Sequence, residues 1–102
     1  MANNYEESSK CARLYMAHKD AMYRRAYKIV HNERDAEDAV HDSFERILKY
    51  NYLHKIDENN FAYTRNLLGM ICSNVAKDYL KQSKKINMFA IEDDEFENDG
   101  EF

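Results

Sequence analysis

Apolar residues return every three or four positions along most of this chain. Over residues 9–31, Tyr15, Met22, Tyr23, Ala26, Tyr27 and Val30 follow the steps of one helix face. Ser8 or Ser9 stands where a side-chain oxygen can accept from the first unpaired amides. His31, Asn32, Glu33 and Arg34 interrupt the pattern. A second helix is expected from Asp35, which can cap it, with Ala36, Val40, Phe44, Ile47 and Leu48 as its apolar stripe. Residues 50–60 show no period and end in cap-type residues. A third helix follows over residues 61–85, with Leu67, Leu68, Ile71, Cys72, Val75, Tyr79 and Leu80 on a broad apolar face. The pattern predicts an all-α three-helix bundle. Residues 1–8 read as an N-terminal extension, 9–85 as the helical domain and 86–102 as an acidic tail.

Composition supports that reading. The chain has 102 residues, no proline, and glycine only at positions 69 and 100. Hairpins draw on turn residues that are scarce here, and a glycine-rich phosphate loop cannot be built. No apolar run is long enough for a membrane span or a secretory core segment. Cys11 and Cys72 make neither a CxxC pair nor a disulfide framework, so a cytoplasmic protein is expected.

Charge changes the picture once it is resolved along the chain. The total is −4, but residues 1–85 sum to +3 and residues 86–102 hold seven acids and no base. Within the body, residues 10–34 carry +5, residues 35–48 carry −4 and residues 61–85 carry +4. The tail, from Glu92 onward, has too few apolar groups to offset the entropy of ordering, so it reads as disordered in isolation.

The charged faces hold the candidate chemistry. On the third helix Met70, Ser73, Asn74, Lys77, Lys81 and Lys84 share one side. Such a row can lay amines along a phosphate backbone while an amide reads something more specific. Solvated lysines are the plainer reading of the same spacing. On the second helix Glu37, Asp38, His41, Asp42 and Glu45 form an acidic stripe that suits a basic protein partner. Tyr50, Tyr52 and Tyr63 surround the 50–60 stretch, where aromatics can hold unstacked bases or fill gaps between helices. The four histidines are scattered and expected on the surface, while Cys72 falls on the apolar stripe. Asp57 and Glu58 are placed to cap the third helix. No nucleophile, base and acid stand in a catalytic order, so an enzyme is not expected; His41 and Glu45 are four apart but have no second ligand pair, so neither a metal site nor a cofactor is expected.

Two runs carry a family resemblance: YRRAYKIV from Tyr23 followed by DAEDAVHDSFER from Asp35, and LGMICSNVAKDYLKQSKK from Leu68. Over residues 14–85, in order and in phase, they resemble region 2 of extracytoplasmic-function-type bacterial sigma factors. The resemblance implies that Asp35, Asp38, His41, Asp42 and Arg46 dock on the clamp helices of the largest subunit of core RNA polymerase. It implies that the third helix recognises and opens the promoter −10 element, with Asn74, Lys77, Asp78, Lys81 and Lys84 on the helix. Residues 52–60, with Tyr52, Lys55 and Asn60, would lie around a flipped base of the single-stranded non-template strand, and Tyr63 beside them is a further DNA-binding candidate. His41 and Asp42 stand where the family usually has Gln and Glu, and the third helix has fewer arginines than usual. Residues 86–102 are too few and too acidic to form region 4, the −35 reader. A separate −35-reading protein or an anti-sigma factor is a further partner that this allows. Two other readings stay open: an interaction module that regulates polymerase without reading DNA, and one half of a two-subunit factor.

Overall fold

In the computed structural model, the backbone is described for residues 4–91 and side chains for residues 6–82. Three helices, α1 (Asn4–Val30), α2 (Glu33–Lys49) and α3 (Phe61–Ile91), each pack against the other two, with a 3-10 turn at Leu53–Lys55 between α2 and α3. No strand occurs among the described residues. The predicted all-α three-helix architecture is therefore what forms.

Helix boundaries depart from the sequence reading in informative ways. Helix α1 begins before Ser8 and Ser9, which lie inside it and do not cap it. Glu6 and Glu7 occupy its first turn instead, where acids complement the helix dipole. The cap of α2 is Asn32, not Asp35. Its extended backbone (φ −149°, ψ 128°) lets Oδ1 accept from the Asp35 amide at 2.9 Å. At the other end, Asn51 takes a left-handed φ of 54°. The Tyr52 amide then donates to the Ile47 carbonyl and the Asn51 amide to that of Leu48. This pair of bonds closes a helix end in the way a glycine usually permits, and asparagine tolerates the same backbone. The cap of α3 is Asn60, which accepts from the Tyr63 amide, not the carboxylates of Asp57 and Glu58. Helix α3 runs past Lys85 to Ile91, because residues 86–91 contain neither glycine nor proline to stop it. The acidic stretch read as disordered lies outside the described residues.

The core is built from Leu14, Met22 and Ala26 of α1, Ala36, Ala39, Val40, Phe44 and Ile47 of α2, and Leu68, Cys72, Val75 and Ala76 of α3. Cys72 is buried, as expected, and its thiol donates to the Met22 carbonyl at 3.6 Å. Leu53 and Ile56, in the stretch without a period, are buried as well. They anchor the α2–α3 connection to the core. Thr64 Oγ1 donates to the Asp57 carbonyl at 2.6 Å, and Arg13 holds Glu58 through two bonds of 3.0 and 2.8 Å. The connection is thus pinned from below and from α1.

Three expectations about side chains are overturned. Leu48, placed on the apolar stripe of the second helix, is 48% exposed. Tyr27, on the face expected to be apolar and inward, is 40% exposed, because it lies on the flank of α1 that α2 and α3 leave uncovered. His18, expected on the surface, is 2% exposed. It packs on Phe61 at 4.8 Å between ring centroids, and its Nδ1 has no hydrogen-bond partner. Burial first, and then the Arg65 guanidinium, hold its pKa below the ordinary value. The folded state therefore keeps His18 neutral where the unfolded chain protonates it. Stability is expected to fall as pH drops through the ordinary histidine range near 6.5, by at most about 1.4 kcal/mol per pH unit for this one group. Thermal melts between neutral and mildly acidic pH check this: His18→Gln should melt lower at neutral pH but show a flatter pH dependence.

Candidate docking and nucleic-acid faces

Helices α2 and α3 present the two candidate faces and are tied to each other directly. The half-buried Tyr79 hydroxyl donates to Asp42 Oδ2 at 2.5 Å. Burial, then the bond to Asp42, raise the Tyr79 phenol well above its ordinary range, so it remains a donor at any physiological pH. One turn further along α2, Arg46 faces Asp78 at 3.5 Å. Two residues assigned to different faces, Arg46 and Asp78, therefore meet, and Asp42 has a structural partner inside the bundle.

The remaining docking candidates divide between two sides of α2. Asp38 is exposed, Asp35 is half-buried, and both lie close enough to Tyr79 to add to its shift. His41 turns towards α1, where its Nε2 is 3.4 Å from the Tyr15 hydroxyl and the two rings meet edge to face. It lines a concave site of about 410 Å³ with Tyr15, Lys19, Asp20, Tyr23 and Glu37. Glu37 and Glu45 are exposed and continue the acidic surface. The structure brings Asp35, Asp38, Asp42 and Arg46 together and sets His41 apart.

The outward side of α3 carries Tyr63, Asn66, Met70, Asn74, Lys77 and Lys81, all exposed. At 1.5 Å per residue the row is roughly 27 Å long. Tyr63 and Met70 are 56% and 50% exposed, an apolar surface beside the two amines. Ser73 is half-buried at the margin, and the Lys84 side chain lies outside the described residues. Asn66 belongs to this face and was missed, although its three- and four-residue steps to Tyr63 and Met70 were readable.

At the start of α3 the candidates are less free. Tyr52 is half-buried against the core, with Lys55 Nζ over its ring at 5.7 Å from the centroid. Asn60 is exposed, but its Oδ1 is engaged as the α3 cap. Arg65 stacks over Phe61 at 4.7 Å and donates to the Ala17 carbonyl, which orients it inward. The pinned connection and the Tyr63 ring thus form a rigid shoulder at one end of the row.

Among the described residues no three His, Cys, Asp or Glu side chains are grouped as metal ligands, and no helix is long and apolar enough to cross a membrane. A family model described as "Sigma-70 region 2" matches residues 14–86. No curated protein and no solved structure matches the chain.

Proposed function

We propose, on the ground that this chain belongs to the sigma-70 region 2 family, that it binds core RNA polymerase through α2 and recognises and opens a promoter −10 element through α3. Membership itself carries a sigma-factor-like role in RNA polymerase binding and transcription initiation. The observation that carries the finer reading is the match over residues 14–86, which spans both faces. In this reading the protein is a non-enzymatic specificity factor of the extracytoplasmic-function type, acting in a bacterial cytoplasm. Asp35 and Asp38 meet the clamp helices of the largest subunit. Asp42 and Arg46 serve that contact by fixing α2 on α3. Asn74, Lys77 and Lys81 follow the non-template strand, while Tyr52, Lys55, Asn60 and Tyr63 border the unstacked base. Opening a base step costs a few kcal/mol, which stacking and shape must offset.

A second reading is supported by the small number of cations on α3. Lys77 and Lys81 are the two described lysines on the outward face. Each phosphate neutralised contributes separately to affinity, so two give a small electrostatic gain. A module that occupies polymerase without reading DNA would need no more.

Promoter-directed run-off transcription with core polymerase separates the two. The first reading expects promoter-dependent product from the parent. Asn74→Ala combined with Lys77→Ala should lower open-complex formation about thirtyfold, taking about 1 kcal/mol from each lost contact. Polymerase capture without promoter-dependent product supports the second reading. Open complexes unaffected by the double variant would remove α3 from DNA recognition.

A further inference from the structure

The +5 segment of residues 10–34 is not used by either proposed face. Some of its cations are engaged within the molecule. Arg13 holds Glu58, Lys19 lies 3.5 Å from Asp20, and the Arg25 side chain crosses Gly69 of α3, where a Cβ would stand 2.5 Å from it. Arg24, Lys28 and Arg34 are exposed and enter no ion pair among the described residues.

Beside them lies an aromatic ladder. Tyr23 and Tyr27 stack with centroids 6.0 Å apart and 24° between their planes. Tyr27 and His31 meet edge to face at 6.1 Å. Tyr23 and Tyr27 are one turn apart on α1, and His31, just past the helix end with a left-handed φ of 52°, continues the row through its contact with Tyr27. Arg24 and Lys28 follow Tyr23 and Tyr27 by one position each and make a parallel row of cations. The Tyr23 end faces acids: Glu37 lines the same concave site, and burial first, then the charges of Glu33 and Glu37, raise the Tyr23 phenol pKa. Asp20 is exposed one turn before Arg24. The open, cationic end of the ladder is therefore Tyr27 and His31, with Lys28 beside them and Arg34 beyond the α1–α2 connection.

We infer that the C-terminal half of α1 is a second nucleic-acid surface, on which Tyr27 and His31 stack bases of a single strand while Arg24 and Lys28 hold its phosphates. An aromatic surface with cations alongside is what sequence-tolerant single-strand binding needs, because every base has a π-face and every nucleotide a phosphate. The burial pattern agrees. A tyrosine serving only the core would not leave two fifths of its surface in water beside unpaired cations. The surface is separate from α3, so the same chain can hold a strand at two places.

The full chain tests this with fluorescence anisotropy against labelled oligothymidylate and oligouridylate at low salt. Tyr27→Ala should weaken binding at least about fivefold, the loss of one stacked base, and Tyr27→Phe should stay within about twofold. Arg24→Ala with Lys28→Ala should lower the slope of log affinity against log salt by about 1.4. Both effects should persist in a Lys77→Ala, Lys81→Ala background, which removes the α3 amines. An effect in either the DNA or the RNA arm supports the surface and identifies which strand it takes. Parental affinity in Tyr27→Ala, an unchanged salt slope in the double variant, or no binding by the parent overturns it. Helicity and melting of each variant distinguish lost contacts from lost fold, and the exposed Arg24 and Lys28 provide a readout independent of packing.

Discussion

Asp38→Arg is expected to lower capture of core RNA polymerase at least about thirtyfold while leaving the melting temperature within about two degrees of the parent. The side chain is exposed in the second turn of α2 and makes no hydrogen bond or ion pair among the described residues. Reversing its charge therefore removes no internal support. At a complementary interface the same change replaces an attraction by a like-charge contact, and such contacts cost several kcal/mol. Asp42→Arg is the poorer test, although Asp42 stands in the same acidic run. It would also remove the acceptor of the half-buried Tyr79 hydroxyl, so lost binding could come from a shifted α2. A pull-down with purified core polymerase, paired with thermal melts, decides the matter. Full capture by Asp38→Arg would take α2 out of the docking surface.

Ile56→Ala should lower the unfolding free energy by about 2–5 kcal/mol, measured by urea denaturation. Ile56 is 1% exposed and stands with Leu53 under the connection between α2 and α3. Truncation opens a cavity where the surrounding backbone is held by Thr64, Asn60 and the Arg13–Glu58 pair and cannot easily collapse. A domain with typical stability of about 5–15 kcal/mol would lose a large share of it. The connection carries Tyr52 and Lys55 and leads into Asn60 and Tyr63. The variant should therefore also reduce promoter opening. A loss below about 1 kcal/mol would show that the connection is not part of the cooperative core.

These two variants mark different degrees of legibility. Asp38 could be found from sequence because an acidic run on one side of an amphipathic helix needs only helical periodicity to locate it. Ile56 could not, since in residues 50–60 neither a two- nor a three-to-four-residue period exists. A short 3-10 turn buries Leu53 and Ile56 three positions apart without repeating. The caps fall between these cases. Asn32, Asp35, Asp57 and Asn60 are all cap-type residues, and only the folded backbone selects Asn32 and Asn60 among them, through their bonds from the Asp35 and Tyr63 amides. Tyr27 and His18 were assigned to the wrong environments for a similar reason. Both lie near the edge of the α1 stripe, and where α2 and α3 cross it decides which edge is covered.

Local sequence by itself determined three helices, their order, the apolar stripes and the charge of each outward face. Those properties depend on residue type and on a fixed helical repeat, which neighbouring residues set. The family is legible for the same reason, since its two motifs lie in phase on those helices. Tertiary structure alone decided which charged groups remain available. It joined Asp42 to Tyr79 and Arg46 to Asp78, turned His41 towards Tyr15, buried His18 and left the Tyr23–Tyr27–His31 ladder open. Such pairings depend on where helices cross, to within the few ångströms over which a hydrogen bond forms, and periodicity along one helix carries no information at that distance.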